Sequence, residues 1–237
     1  MGDLEKKYGI DMVYEDNHLI IINKKAGQIA QGDKTGDTPL NELLKAYIKE
    51  KYQKPGNVYL GTVHRLDRPT SGGLIFGKTD KATSRLSKMF QQKEVKKTYW
   101  AVVDKLPPKT EDRLEHYLKK NQEKNKSFVV KASTPGAKKA SLIYKLIASS
   151  DRYHLLEITL ETGRHHQIRT QLGAIGCKIK GDVKYGFRRA NPDLSIHLHA
   201  RYISFLHPVK KEEMKFIFDV PQDDAVWEYF NRMNNLG

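Results

Sequence analysis

The chain has 237 residues, 38% of them hydrophobic, which is enough to bury a core and argues against disorder. Its formal net charge is +14, with lysines and arginines spread along the whole length, and such a balance points to a polyanionic partner, nucleic acid before any other. The single cysteine, Cys177, excludes an internal disulfide and any multi-cysteine zinc framework, and fits a reducing, cytoplasmic home.

The opening MGDLEKKYGIDMVYED lacks the apolar core of a secretory signal, and no apolar run reaches the roughly 20 residues that span a bilayer, so no membrane is expected. Lys6 stands where a myristoylation signal needs Ser or Thr. In VYEDNHLIIINKKAGQ, Asp16-Asn17 separates two apolar stretches as a hairpin turn does. TPLNELLKAYIKEKY then sets Leu40, Leu43, Leu44, Tyr47 and Ile48 at helical spacing behind Thr38-Pro39. VYLGTVHRLD and GGLIFGKT read as extended segments joined by the RPTS corner, TDKATSRLSKMFQQK as an amphipathic helix, and KKTYWAVVDK as a strand. Pro107-Pro108 marks the expected lobe boundary, near 106–110, ahead of the highly charged EDRLEHYLKKNQEKNK.

Beyond it the pattern turns to long strands: SFVVKA, KKASLIYKLIA and RYHLLEITLETG, the last with Leu156, Ile158 and Leu160 alternating onto one face. GRHHQIRTQLGAIG reads as a short helix ending at a glycine, with Arg164 at its start and Arg169 further in. HLHARYISFLHP and MKFIFDVP add two strands, and QDDAVWEYFNRM a closing helix. Runs of strands with a few helices predict an α+β fold on a mixed, largely antiparallel sheet with flanking helices. One continuous unit is expected, with its first strand starting near residue 11.

Asp67 lies between Arg65 and Arg68, where an extended segment meets a Ser71-Gly72-Gly73 corner. A bland reading makes it a surface ion pair or a turn cap. A functional reading makes it a carboxylate held ionised by neighbouring guanidinium groups, with the glycines letting a substrate backbone approach closely. In ETGRHHQIRTQL a guanidinium could orient such a carboxylate, although a basic helix end over the core is an equal reading. Tyr99 and Trp100 fall on opposite faces of a strand, one for the core and one for a cleft. His165-His166 and His197-x-His199 lack the convergent spacing of a metal site, so no metal is expected, and no phosphate-cradling glycine loop occurs.

HRLDRPTSGGLIFGKT, KKTYWAVV, ETGRHHQIRTQL, GDVKYG and HLHARYISFLHP, in this order and spread over residues 11 to 220, resemble the RluA-type pseudouridine synthases. The resemblance implies the pseudouridine synthase fold, a single catalytic domain of two lobes around a cleft with no separate N-terminal RNA-binding module, and a cofactor-free isomerisation of uridine in structured RNA. It implies Asp67 as nucleophile or ion-stabilising carboxylate, Tyr99 as the ring stacked on uracil, and Arg169 as the cation paired with the catalytic carboxylate. Arg65 matches the residue that enters the RNA stack, with His64, Arg68, Arg164 and His166 also on the RNA side. The partner implied is a ribosomal or transfer RNA stem-loop, met by a monomer with no obligate protein partner. One departure is Lys24-Lys25-Ala26-Gly27, where the family often shows KPxG. Two rivals remain at this level: a non-catalytic RNA-binding protein on the same fold, and a glycoside hydrolase, which would need a second carboxyl group such as Glu161 or Asp182.

Overall fold

A computed structural model describes residues 2–32 and 36–234. The chain forms two compact units, Met1–Lys96 with Ala200–Asp219, and Lys97–His199 with Val220–Gly237. The first division falls at Lys96, so Pro107-Pro108 lies inside the second unit.

The first unit opens with a short helix, α1 (Asp3–Lys7), followed by the antiparallel hairpin of β1 (Met12–Glu15) and β2 (Leu19–Lys24). Asp16 makes that turn by accepting hydrogen bonds from the His18 and Leu19 amides at 2.7 and 2.8 Å. After α2 (Leu40–Lys51) come the two-residue β3 (Gly61–Thr62), β4 (Ser71–Gly77), α3 (Asp80–Gln91), and later β10 (Leu198–Leu206) and β11 (Glu213–Ile217). The strands lie in the order β1-β2-β4-β10-β11, with β3 beside β4. All four residues of Leu19–Ile22 are buried, as in a strand covered on both faces. Leu19 and Ile21 meet Ala82, Leu86 and Met89, which recur at helical spacing along α3, together with Ile203, Phe205 and Phe218. The α3 start is fixed by Thr79, whose hydroxyl accepts from the Ala82 amide at 3.2 Å.

The expected long strand VYLGTVHRLD is strand only at Gly61–Thr62. Further along, a side chain takes the place of a backbone partner: the Ile75 amide donates to His64 Nε2 at 3.0 Å.

The second unit is a five-stranded antiparallel sheet in the order β5-β9-β8-β6-β7. Its strands are β5 (Lys96–Val103), β6 (Glu111–Asn121), β7 (Lys126–Val130), β8 (Lys138–Ser149) and β9 (His154–Leu160). The charged segment after Pro107-Pro108 is thus an eleven-residue strand, β6, whose Leu114 and Leu118 are buried while most charged neighbours point to solvent. Two helices complete the unit: α4 (Gln167–Ala174) and α5 (Ala225–Asn234), the latter packing Trp227 and Phe230 against Trp100, Val102 and Leu155. The α+β reading with antiparallel pairing therefore holds. Among the described residues, no helix is long and apolar enough to cross a membrane.

Candidate active site

Asp67 stands in the first unit, half-buried, at a turn closed by the Thr70 amide donating to its carbonyl at 3.0 Å. The loop after β2 straps this corner from behind. The Gly27 amide donates to the Arg68 carbonyl at 2.9 Å, and Lys24 Nζ donates to the carbonyls of Arg68 at 3.1 Å, Thr70 at 2.6 Å and Lys25 at 2.9 Å. An ammonium has three N–H groups, and here three carbonyls meet them.

Lys24 is 1% exposed, and burial pulls its pKa down to about 7 against the opposing attraction of the Asp67 charge. Sequence reading missed this brace, since an interior lysine looks like a surface one. Its only signal is the Lys-x-Ala-Gly pattern.

The arginines around Asp67 are both exposed, and Arg68 Nη2 lies 2.7 Å from the Asp37 carboxylate. His64 braces the protein itself, through its bond to Ile75 and a stacked contact with Phe90 at 4.5 Å between ring centroids.

The Ser71-Gly72-Gly73 corner does not open a path for a substrate backbone. A Cβ on Gly72, whose φ is +112°, would lie 2.4 Å from the Ala200 carbonyl oxygen. One on Gly73 would meet the Phe218 ring at less than that. The missing side chains let β10 and Phe218 close against β4, so this glycine pair serves the packing behind the Asp67 turn.

In the second unit, Tyr99 is 5% exposed and sits opposite Ile158 of β9. Strand alternation sends Trp100 into the α5 core and turns Tyr99 to the other face, shared with Ile158, Tyr144, Leu114 and His116. Helix α4 covers that face: Gln171 Nε2 donates to the Leu114 carbonyl at 3.2 Å and lies 3.1 Å from His116 Nδ1. Tyr99 and the helix carrying Arg169 therefore belong to the same side of one sheet.

Arg169 is gripped at two points by Asp182 of the GDVKYG segment, Nε to Oδ2 at 2.7 Å and Nη2 to Oδ1 at 2.8 Å. Its guanidinium also lies 5.0 Å over the Tyr185 ring. The Tyr185 hydroxyl accepts from the Ser127 amide at 2.9 Å and meets His166 Nδ1 at 3.0 Å.

His166, in the left-handed conformation at φ 51° ahead of α4, is buried and stacked on His165 at 3.8 Å. Burial, reinforced by the Arg169 charge, lowers its pKa to about 2, so it is a neutral brace. Arg164 precedes the helix by three residues; it is exposed, and its Nε donates to the Lys139 carbonyl at 2.9 Å.

Gln167 ties the ETGRHHQ turn, with its Oε1 accepting from Thr162 Oγ1 at 2.7 Å and from the Arg164 amide at 2.9 Å. Asp182 and Tyr185 are the members of this cluster that the sequence did not assign to Arg169. Both candidates for a hydrolase's second carboxyl group are arginine partners, Asp182 of Arg169 and Glu161 of Arg113 at 2.7 Å. Among the described residues no group of three or more His, Cys, Asp or Glu side chains is placed to hold a metal ion.

A family model described as RNA pseudouridylate synthase matches residues 18–174. Ribosomal large subunit pseudouridine synthase D of Zymomonas mobilis is 30% identical over 224 residues, covering 90% of this chain and 70% of that one. Ribosomal large subunit pseudouridine synthase C of Rickettsia felis is 34% identical over 224 residues, covering 92% and 70%. Among solved structures, human RNA pseudouridylate synthase domain containing 4 superposes with a TM-score of 0.77 at 22% identity, over 97% of this chain and 95% of that one, a likeness of fold.

Proposed function

This chain belongs to the RluA-type RNA pseudouridylate synthases and isomerises uridine in RNA to pseudouridine, and from that premise we propose which residues do the work and on which RNA. The reaction breaks the N1–C1′ bond, forms a C5–C1′ bond, and moves one proton from C5 to N1. Atoms balance within the nucleotide, so it needs no redox partner or group donor.

In this reading Asp67 supplies the anion that meets C1′ as the base leaves, as nucleophile or as ion stabiliser. The observation that carries the assignment is the strap behind it. Lys24 and Gly27 fix the carbonyls on the far side of the turn, so a half-exposed carboxylate is held on a rigid corner. Tyr99 gives the uracil a ring to stack on while it turns. Arg169 offers a cation whose direction is set by Asp182 and the Tyr185 face. Arg65, exposed beside Asp67, fills the gap left by the extruded base, and Arg68 and Arg164 meet phosphates.

The substrate is a stem-loop of structured RNA, with large-subunit ribosomal RNA the first candidate, since relatives bearing that name share 30% and 34% of their aligned residues with this chain. The two units act as one catalytic domain, as a monomer. The buried thiol of Cys177 supports a reducing compartment, the cytoplasm.

The test is to incubate pure protein with large-subunit ribosomal RNA transcript and map pseudouridine, alongside Asp67→Asn. Wild type should convert one or a few uridines, while Asp67→Asn binds as well and converts none. Turnover by Asp67→Asn would remove the carboxylate from the mechanism.

A further inference from the structure

The β6–β7 hairpin has a second face that the catalytic reading leaves unused. In its register Lys119 sits across from Phe128, Asn121 across from Lys126, and Tyr117 across from both Val130 and Lys139. Alternation places Tyr117, Lys119, Phe128 and Lys139 together on the face opposite the one that α4 covers, with Lys126 at its margin, where its Nζ also lies 4.8 Å over the Tyr185 ring. Phe128 is 39% exposed on β7, the last strand in the sheet order, and Lys126 Nζ lies 5.4 Å from its ring centroid.

Residues 117–139 hold seven lysines and one glutamate, a net +6 out of the chain's +14. Lysines alone would explain a guarded sheet edge. They do not call for the half-exposed aromatic ring that stands in their midst. A π-face among ammonium groups is the chemistry that takes an unpaired nucleotide, its base stacked and its phosphates neutralised.

We propose that this face is an accessory RNA site, where an unpaired base from a strand flanking the target helix stacks on Phe128 while Lys119 and Lys126 meet the phosphates on either side. The inference rests on the reading of the chain as an RNA-acting enzyme, and it adds a requirement: the substrate carries a single-stranded stretch outside the modified loop.

The probe is a fluorescently labelled single-stranded oligoadenosine, which has no uridine for the catalytic residues, measured by anisotropy across a salt series. Phe128→Ala should bind it about tenfold more weakly with an unchanged salt slope, and Phe128→Trp should restore affinity. Lys119→Ala/Lys126→Ala should instead flatten the salt slope by about 1.4, at 0.7 per phosphate on a single strand. On the ribosomal transcript, Phe128→Ala should raise KM and leave kcat alone.

Equal binding by wild type and Phe128→Ala would overturn the site. So would a matched loss on duplex RNA, which offers no open base to stack. A wild-type protein that binds oligoadenosine through Phe128 yet forms no pseudouridine would strike the enzymatic reading and leave this site standing.

Discussion

Arg169 and Asp182 hold one another at two points in the interior, Nε to Oδ2 at 2.7 Å and Nη2 to Oδ1 at 2.8 Å, with side chains only 5% and 1% exposed. Changing one partner breaks a two-point ion pair that is shut off from water. Asp182→Asn should cost about 3–5 kcal/mol of stability, measured by urea denaturation. The double change Asp182→Leu/Arg169→Met should recover much of that stability while staying inactive. A double variant as unstable as the single one would mean that the loss comes from packing and not from charge.

Lys24 gives opposite pH trends for stability and turnover. The unfolded chain keeps this amine protonated up to about 10.5 and the folded chain only to about 7. Between those values the unfolded state binds the extra proton, so stability rises with pH across the window. The neutral amine, however, has two N–H groups for three carbonyls, which loosens the Asp67 corner, so kcat should fall as pH climbs through about 7. Lys24→Met should flatten both curves relative to wild type. Parallel pH profiles for the two proteins would dismiss Lys24 as a positioning residue.

Tyr99→Phe keeps the ring and removes the hydroxyl. If that hydroxyl helps to move the proton, binding should stay within about twofold while turnover drops by roughly a hundredfold, and Tyr99→Leu should damage both. Single-turnover kinetics with matched binding measurements separate the two effects. A Phe variant as fast as wild type would restrict Tyr99 to stacking.

Arg65→Ala should lose far more activity on a uridine in a stable stem-loop than on the same sequence as a flexible strand, because only the stem-loop has a stack to refill. Fluorescence of a reporter base beside the target reports the flipping step directly. Equal losses on both RNAs, with an unchanged flipping signal, would reduce Arg65 to a phosphate contact.

Gly73→Ala forces a methyl group into the Phe218 ring, itself only 1% exposed, and should cost about 3 kcal/mol. Phe218→Leu in the same chain should return part of it. Thermal unfolding of the single and double variants is the measurement, and additive losses would exclude the clash as the cause.

Where periodicity met burial, the sequence was a good guide. The amphipathic helix of TDKATSRLSKMFQQK, which buries Ala82, Leu86 and Met89, and the Asp16 turn between β1 and β2 are local patterns whose physics is complete within a dozen residues. What escaped depends on partners distant in the chain. Arg169 finds Asp182 thirteen residues on, across an irregular loop, and Lys24 finds carbonyls 44 and 46 residues away. The glycine corner was read as room for substrate because nothing in Ser71-Gly72-Gly73 announces that Ala200 and Phe218 fill that room. The β6 strand was hidden by its charges, since only Leu114 and Leu118 mark its buried side.

The first unit draws its strands from two stretches far apart in the sequence, and this sets a timetable for its synthesis. Ile203, Phe205 and Phe218 belong to the same core as Leu19 and Ile75, yet they leave the ribosome only after the whole segment Lys97–His199 has been made. Until then the Asp67 turn lacks the wall that Phe218 provides over Gly73. A nascent or truncated chain ending before β10 would therefore expose Leu19, Ile21 and Ile75 to chaperones and proteases. Its isomerase chemistry would begin only once Ala200–Asp219 has been made.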